Sequence, residues 1–427
     1  MRSIILAAFL FASSIVQAQI LPVISESEVS RVEKILSSDE MQGRQVFTPG
    51  IEKAATFITK EFTEAGLKPL PGSKDFTQNF SMYLPLTSDI IASVNGASID
   101  GANVLAFTAD SSLKISAESH YKTIFVKKGD DYREAFFKYF ESDENIVVFI
   151  DTSFAKHFTS LAGYFSKNHT PQFENSGNRI FILSAIVPLQ YSIQIKQKIK
   201  KQNLANLVGI IPGRSKSAEM VIFSAHYDHL GIGKPNEAGD SVYNGANDDA
   251  SGTTAVIELA KYFSKRKDNE RSIVFAAFTA EEVGEFGSAY FSKKMIPEQV
   301  VAMFNIEMIG TESKWGKNSA YITGFDKSDM GAILQKNLLN TPFKYYPDPY
   351  PQENLFLRSD NAQLAKKGVP AHTISTSKMD SEKFYHQLGD EIGTLDLNNM
   401  MEIIRSIGLS ASSIISGKDT PTRVLPE

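Results

Sequence analysis

The chain has 427 residues, a formal net charge of -5 and no cysteine. The absence of cysteine rules out disulfides, a lipidated N-terminal Cys, a thiolate zinc site and a Cys nucleophile, so a bound metal has only His, Asp and Glu to use. The mild acidity, without a Lys/Arg stripe, excludes a basic field for nucleic acid, and 42% apolar content at this length predicts a large core shared between two domains.

Residues 1–18 carry Arg2, an uncharged run from Ser3 to Val16, and the ending Val16-Gln17-Ala18. This is the pattern of a secretory signal peptide cleaved after Ala18. The apolar run falls short of the ~20 residues that a spanning helix needs, and no second such run follows. The mature chain is therefore expected to be exported, periplasmic or secreted, with no membrane span. Residues 19–76 begin the main domain with two helices, Glu26–Leu36 and 50–66. In the second, Ile51, Ala54, Ala55, Ile58, Phe62 and Ala65 form one stripe and Gly66 stops the helix.

From 77 to 203 the pattern changes to short or alternating apolar runs at 90–94, 123–126, 145–150 and 179–183. They predict an inserted, smaller, β-rich, lid-like domain in which His120, His157 and His169 read as surface imidazoles. Residues 204–427 return to α/β character. Strand-like runs at 207–211, 220–225, 272–278 and Val300–Ile306 alternate with helical stretches at 250–265 and 287–294. A strand at 320–323, helices at 327–339 and 361–367, a strand at Ala371–Ser375 and a long helix at 397–415 complete the domain. The expected fold class is α/β: a three-layer αβα arrangement with a largely parallel sheet, its ligand site at the carboxyl ends of the strands.

Five segments carry chemistry. Ser224-Ala225-His226-Tyr227-Asp228-His229-Leu230-Gly231 follows a strand directly, and Asp228 is expected to accept a hydrogen bond from the far nitrogen of His226. In Asn244-Gly245-Ala246-Asn247-Asp248-Asp249-Ala250-Ser251-Gly252, two glycines bracket adjacent aspartates at the start of a helix, presenting a carboxylate from a tight turn. Glu281-Glu282 ends a strand; one carboxylate can bind metal while the other accepts a proton from water. Glu307 places an acid within an apolar strand, where it must be neutralised, bonded or metal-bound. Phe384-Tyr385-His386-Gln387-Leu388-Gly389-Asp390 supplies a loop imidazole beside a phenol.

In this order the five segments resemble the M28 family of zinc-dependent peptidases. The resemblance extends over nearly the whole mature chain: Leu36-Ser37-Ser38-Asp39-Glu40-Met41-Gln42-Gly43-Arg44, Thr48-Pro49-Gly50 and Gly66-Leu67-Lys68-Pro69 look like the family's opening helices. Only 77–203 lacks a motif, and M28 members often carry a protease-associated or lid domain there. The resemblance implies a zinc-exopeptidase fold and two Zn2+ per chain. His226 and Glu307 would hold one ion, Glu282 and His386 the other, with Asp248 bridging. It further implies Glu281 as general base, Tyr385 as an oxyanion-stabilising phenol, and Asp228 and Asp390 supporting the ligands from behind. Three positions depart from the family: Glu307 stands where Asp is usual, Glu285 where Leu is common, and Asn361 where His often follows Ser-Asp. The implied activity is hydrolysis of the N-terminal peptide bond of peptides with a free N-terminus. The alternatives are a mononuclear zinc glutaminyl cyclase-like acyltransferase, which needs only one Asp, one Glu and one His, and an inactive peptidase-like binding domain. The presence of His226 favours two metals, and the complete ligand set argues against the inactive form.

Overall fold

The computed structural model describes residues 24–167, 170–174, 176–185 and 187–425, so residues 1–18 and His169 lie outside the described part. The described chain forms two compact units, one of residues 24–79 with 204–425 and one of residues 80–203.

The first unit is built on a central sheet. Its strands are β1 (the 204–211 part of Tyr191–Ile211), β2 (Lys216–His226), β3 (Arg271–Phe278), β4 (Val300–Ile306), β5 (Ser319–Ile322), β6 (Lys344–Pro347) and β7 (Ala371–Ser375). Spatial order is β6-β5-β7-β4-β2-β3-β1. β2 runs parallel to both β3 and β4, and β4 runs parallel to β7. β1 and β5 run antiparallel to β3 and β7. The sheet is thus mixed at its flanks and parallel at its centre. Every residue of β3 and β4 is buried, as expected of central strands covered on both faces.

Alternation along the strands separates the two faces. Val221, Phe223 and Ala225 of β2 join Ile273, Phe275 and Ala277 of β3 against α1 (Glu26–Leu36), α2 (Pro49–Glu64), α3 (Ser251–Arg266) and, further on, α7 (Leu397–Ser410). Ile222, Val274, Ala276 and Phe278 point the other way, towards Phe291 of α4 (Phe286–Lys294) and Leu364 and Ala365 of α6 (Ala362–Ala365). A period of two in the strands and 3.6 in the helices therefore yields the three layers. Among the described residues, no helix is long and apolar enough to cross a membrane.

Several elements differ from expectation. β6 was not anticipated, because Lys-Tyr-Tyr-Pro is short and only half apolar; it pairs in parallel with β5 at the sheet edge. α5 covers only Met330–Asn337, since the Ser328 hydroxyl accepts from the Met330 amide and makes a separate turn before it. The expected helix at 361–367 is confined to α6, and the long C-terminal helix breaks at Ala411 before Ser412–Ile415. Glu307 does not lie inside a strand: β4 ends at Ile306, and the Glu307 amide donates to Ile374 O beyond it.

The second unit contains a four-stranded sheet ordered Val104–Phe107, Arg179–Leu183, Ile146–Ile150 and Lys122–Val126. The unit is β-rich, as expected, and adds two helices, Tyr132–Phe140 and Ala155–Lys167. Aromatic residues of high strand propensity crowd the first of these and mask its helical period. Ile146, Val148 and Ile150 pack with Phe136 and Phe158 of the helices, while Val147 and Phe149 pack with Val94, Ile193 and Ile195 on the opposite face. His120 and His157 are exposed.

At the centre of the first unit Phe223 stacks on Phe304 at 4.9 Å, Phe263 at 5.5 Å and Phe275 at 5.7 Å between ring centroids. Phe223→Ala is expected to cost about 3–5 kcal/mol by leaving a cavity among these rings. The shift in the urea midpoint of the unit's unfolding measures it.

Candidate active site

Because β2, β3, β4 and β7 are parallel, their carboxyl ends share one edge of the sheet. His226 is the last residue of β2, Glu281 follows β3 by three residues, and Glu307 follows β4 directly. The loop after β7 brings Tyr385 and His386 to the same edge, with His386 in the left-handed backbone region at φ 56°.

The imidazole of His226 is oriented by main chain. Its Nδ1 donates to the Asp228 carbonyl at 3.1 Å, which fixes the tautomer and leaves the Nε2 lone pair facing the site. The Asp228 carboxylate does not make the expected bond to this ring, from which Oδ1 stands at 3.9 Å. It accepts instead from the Glu281 amide at 3.1 Å and the Glu282 amide at 3.4 Å. Asp228 therefore ties the end of β2 to the acidic pair after β3.

The two aspartates of the 244–252 segment have opposite duties. Asp248 turns into the site, and its amide and that of Asn247 donate to the Asp390 carboxylate at 3.0 and 2.8 Å. Asp249 turns into the protein, where its Oδ1 accepts from the Gly252 amide at the start of α3 and from the Met308 amide, both at 3.0 Å. The second contact pins the backbone next to Glu307. A Cβ on Gly252 would stand 2.2 Å from Ile306 O, so only glycine lets α3 approach β4 this closely.

The side chains converge in two groups that share Asp248, His226-Asp248-Glu307 and His229-Asp248-Glu282, and His386 also reaches into the second. In the first, His226 Nε2 lies 3.2 Å from both Asp248 Oδ1 and Glu307 Oε1, and the Ser359 hydroxyl donates to Glu307 Oε2 at 2.8 Å. In the second, His386 Nε2 lies 3.2 Å from Asp248 Oδ2 and 3.0 Å from Glu282 Oε2. His229, given no role in the sequence analysis, donates from Nδ1 to Glu282 Oε1 at 2.6 Å. Its position three residues after His226 in His-Tyr-Asp-His was the available signal. Glu281, Asp248, Glu307 and Tyr385 line one cavity, and the Tyr385 ring stacks on His386 at 3.9 Å.

The electrostatics describe a surplus of carboxylate. Burial pushes the Asp248 carboxyl up, but the imidazoles of His226 and His386 at ion-pair distance outweigh it and hold the group well below the carboxylate range. The Asp248 and Glu282 carboxylates beside it lift His386 to about 10 against its burial. Burial lowers His226, yet Glu307 and Glu281 carry it well above the usual imidazole value. Burial raises Glu281 strongly, opposed by His226 and reinforced by Glu307, Asp360 and Glu282. Burial and the nearby carboxylates also raise Tyr385, which keeps its proton and remains a donor. The site demands positive charge. Asp248 Oδ1 and His386 Nε2 are buried and sit at ion-pair distance from their neighbours, but neither makes a directed hydrogen bond. Lone pairs aimed at a common point rather than at one another are what a cation's ligands present, and a set of imidazole and carboxylate donors suits zinc.

Behind the site Arg44 is buried and donates to four carbonyls: Leu36 and Asn244 from Nη1 at 2.7 and 2.6 Å, Gly245 from Nη2 at 2.9 Å, and Tyr227 from Nε at 2.9 Å. It joins the His226 loop to the Asp248 loop, a role no local pattern in Met-Gln-Gly-Arg announces.

Residues 206–409, which hold every side chain of both groups, match the sequence model of Peptidase family M28. Leucine aminopeptidase 1 of Emericella nidulans is 30% identical over 211 residues, 46% of this chain and 52% of its own length. Aminopeptidase YwaD of Bacillus subtilis is 34% identical over 131 residues, 29% of this chain and 26% of its own. The chain thus spans about half the length or less of these curated relatives. Among solved structures, the aminopeptidase from Aneurinibacillus sp. strain AM-1 shares the fold, with a TM-score of 0.55 over 96% of this chain and 97% of that one at 17% identity.

Arg44→Met keeps the length of the side chain and removes all of its donors. It is expected to destabilise the first unit by at least ~3 kcal/mol, because four buried carbonyls lose a charged partner. Chemical denaturation of the two proteins side by side provides the measurement.

Proposed function

From the match of residues 206–409 to the model of Peptidase family M28, we propose that this chain is a zinc-dependent aminopeptidase of that family holding two zinc ions. The observation that carries the reading is the pair of undirected buried ligand atoms, Asp248 Oδ1 and His386 Nε2, in two donor groups that meet at Asp248. A single-metal acyltransferase would need only one of those groups.

In this reading His226, Glu307 and Asp248 hold one ion, and Asp248, Glu282 and His386 hold the other. His386 is the ligand rather than His229 because its Nε2 faces both Asp248 and Glu282, whereas the Nδ1 of His229 is spent on orienting Glu282. Glu307 reaches the first group despite its extra methylene, since it stands beyond the end of β4 and the Ser359 hydroxyl holds its far oxygen. Zinc held by these residues would supply Lewis-acid polarisation of the scissile carbonyl and would lower the pKa of the attacking water. Glu281, whose surroundings raise its affinity for protons, takes the proton of the attacking water and passes it to the leaving amine. The Tyr385 hydroxyl, protonated and in the same cavity, donates to the developing oxyanion. The carboxylates around the site attract the substrate's α-ammonium, and an acylated N-terminus offers them an uncharged amide instead. The pattern of residues 1–18 supports export, and 77–203 is read as an insertion into the peptidase domain with a lid-like role.

Elemental analysis and kinetics on two variants divide the roles. Asp248→Asn is expected to lose both zinc ions; Glu281→Gln is expected to retain them while kcat falls about 100- to 10,000-fold. Zinc loss from Glu281→Gln would exchange the roles of Glu281 and Glu282. Comparing a free peptide with its N-acetylated form tests the exopeptidase reading: cleavage of the free form alone is expected, and equal rates would remove the aminopeptidase assignment.

A further inference from the structure

From the walls of the cavity beside the ligand cluster we infer that the enzyme selects peptides whose first residue has a small side chain (alanine, serine or threonine) over those beginning with leucine or phenylalanine. The inference rests on the aminopeptidase reading. If Asp248, Glu281 and Glu307 surround the scissile carbonyl and the α-ammonium, the first side chain must project into the cavity that these residues open onto.

The enclosed part of that cavity, which Asp248, Glu281, Glu307 and Tyr385 also line and whose mouth opens to solvent, measures about 60 Å³. An apolar cavity of about 150 Å³ holds benzene, six heavy atoms, so this one holds roughly two or three. Alanine contributes one side-chain heavy atom, serine two and threonine three. Leucine brings four on a longer arm, and phenylalanine seven.

The floor cannot retreat to admit them. Tyr321 and Thr373 stand on β5 and β7, are buried, and belong to the sheet. Tyr321 packs edge-on against Tyr350 at 5.8 Å. The Thr373 hydroxyl donates to Asn361 Oδ1 at 2.8 Å and accepts from Asn305 Nδ2 at 3.2 Å, while the Thr373 amide donates to Thr323 Oγ1 at 3.2 Å. Moving any of these breaks buried hydrogen bonds and sheet packing together. Ser375 and Ser377 add further hydroxyls to the wall, so a large apolar side chain would be desolvated against polar surface with little return. Arg358 also lines the cavity, but its guanidinium already pairs with Glu353 at 3.3 Å, which gives an acidic side chain no unanswered charge. The adjustable part of the wall is Leu355 and Met379, both half-buried and outside the strands.

The test is kcat/KM of the zinc-loaded full chain on the 4-nitroanilides of alanine, serine, threonine, leucine, phenylalanine and glutamate. Alanine is expected to exceed leucine by at least ~10-fold, the lower end of what one excess methylene costs against a wall that does not yield, with phenylalanine and glutamate lower still. Met379→Ala, and independently Leu355→Ala, is expected to raise the leucine-to-alanine ratio about tenfold by opening the movable wall. Leucine or glutamate equal to or better than alanine in the wild type would overturn the inference while leaving the aminopeptidase reading standing. An unchanged ratio in both folded variants would overturn the assignment of the wall. Failure to cleave any anilide with zinc bound would instead remove the aminopeptidase reading, and this inference with it.

Discussion

The site depends on a cation that is covalently part of the chain. Arg44 sits behind the acidic cluster with its guanidinium shared among the carbonyls of Leu36, Tyr227, Asn244 and Gly245. Those carbonyls lie at the end of α1, between His226 and Asp228, and at the head of the Asp248 turn. A buried guanidinium is costly to desolvate. Burial lowers its proton affinity, and Glu33, Asp390, Asp248 and Asp228 answer by favouring the charged form. Asp248, which belongs to the converging donor groups, is therefore also one of the acids that keep Arg44 charged. The N-terminal helices are thereby bound to the carboxyl edge of the sheet by charge as well as by apolar packing.

Much of this was legible in the sequence because the informative residues stand at element boundaries. A strand that ends in His226, another followed by Glu281-Glu282, and a third followed by Glu307 can be read as runs interrupted by polar residues. Parallel pairing then carries those interruptions to one edge. The directions of hydrogen bonds were not legible. Asp228 was expected to bond a ring and instead receives two amides from the neighbouring strand end, because pairing between β2 and β3 brings those amides within reach. Local spacing cannot express a partner more than fifty residues away.

The same limit explains Arg44, His229 and the insert helix Tyr132–Phe140. Arg44 acts on segments roughly two hundred residues distant, so nothing near it in the sequence marks it. His229 looks like a repeat of His226 until Glu282 arrives to take its Nδ1. In Tyr132–Phe140, aromatic residues are dense enough to read as a strand, and helical character is settled by an Asp131 cap and by packing of Phe136 on the sheet. Each miss traces to tertiary context overriding a local preference.

The division of labour between Asp248 and Asp249 also constrains how this segment can evolve. Asn244 donates to Asp39 and Glu391, Ala246 and Asn247 are held by Asp390, Asp249 caps α3, and the Ser251 hydroxyl donates to Asn247 O. Most positions from 244 to 252 are thus held, three of them by Asp390 and others by each other, and the spacing between ties is set in single residues. Inserting or deleting one residue would rotate the wrong aspartate into the site and leave the other without its amides. Loops on enzyme surfaces usually absorb length changes. This one has the inflexibility of a strand register, so it should tolerate substitution but not a change of length, unlike segments such as 233–241 that carry none of the converging side chains.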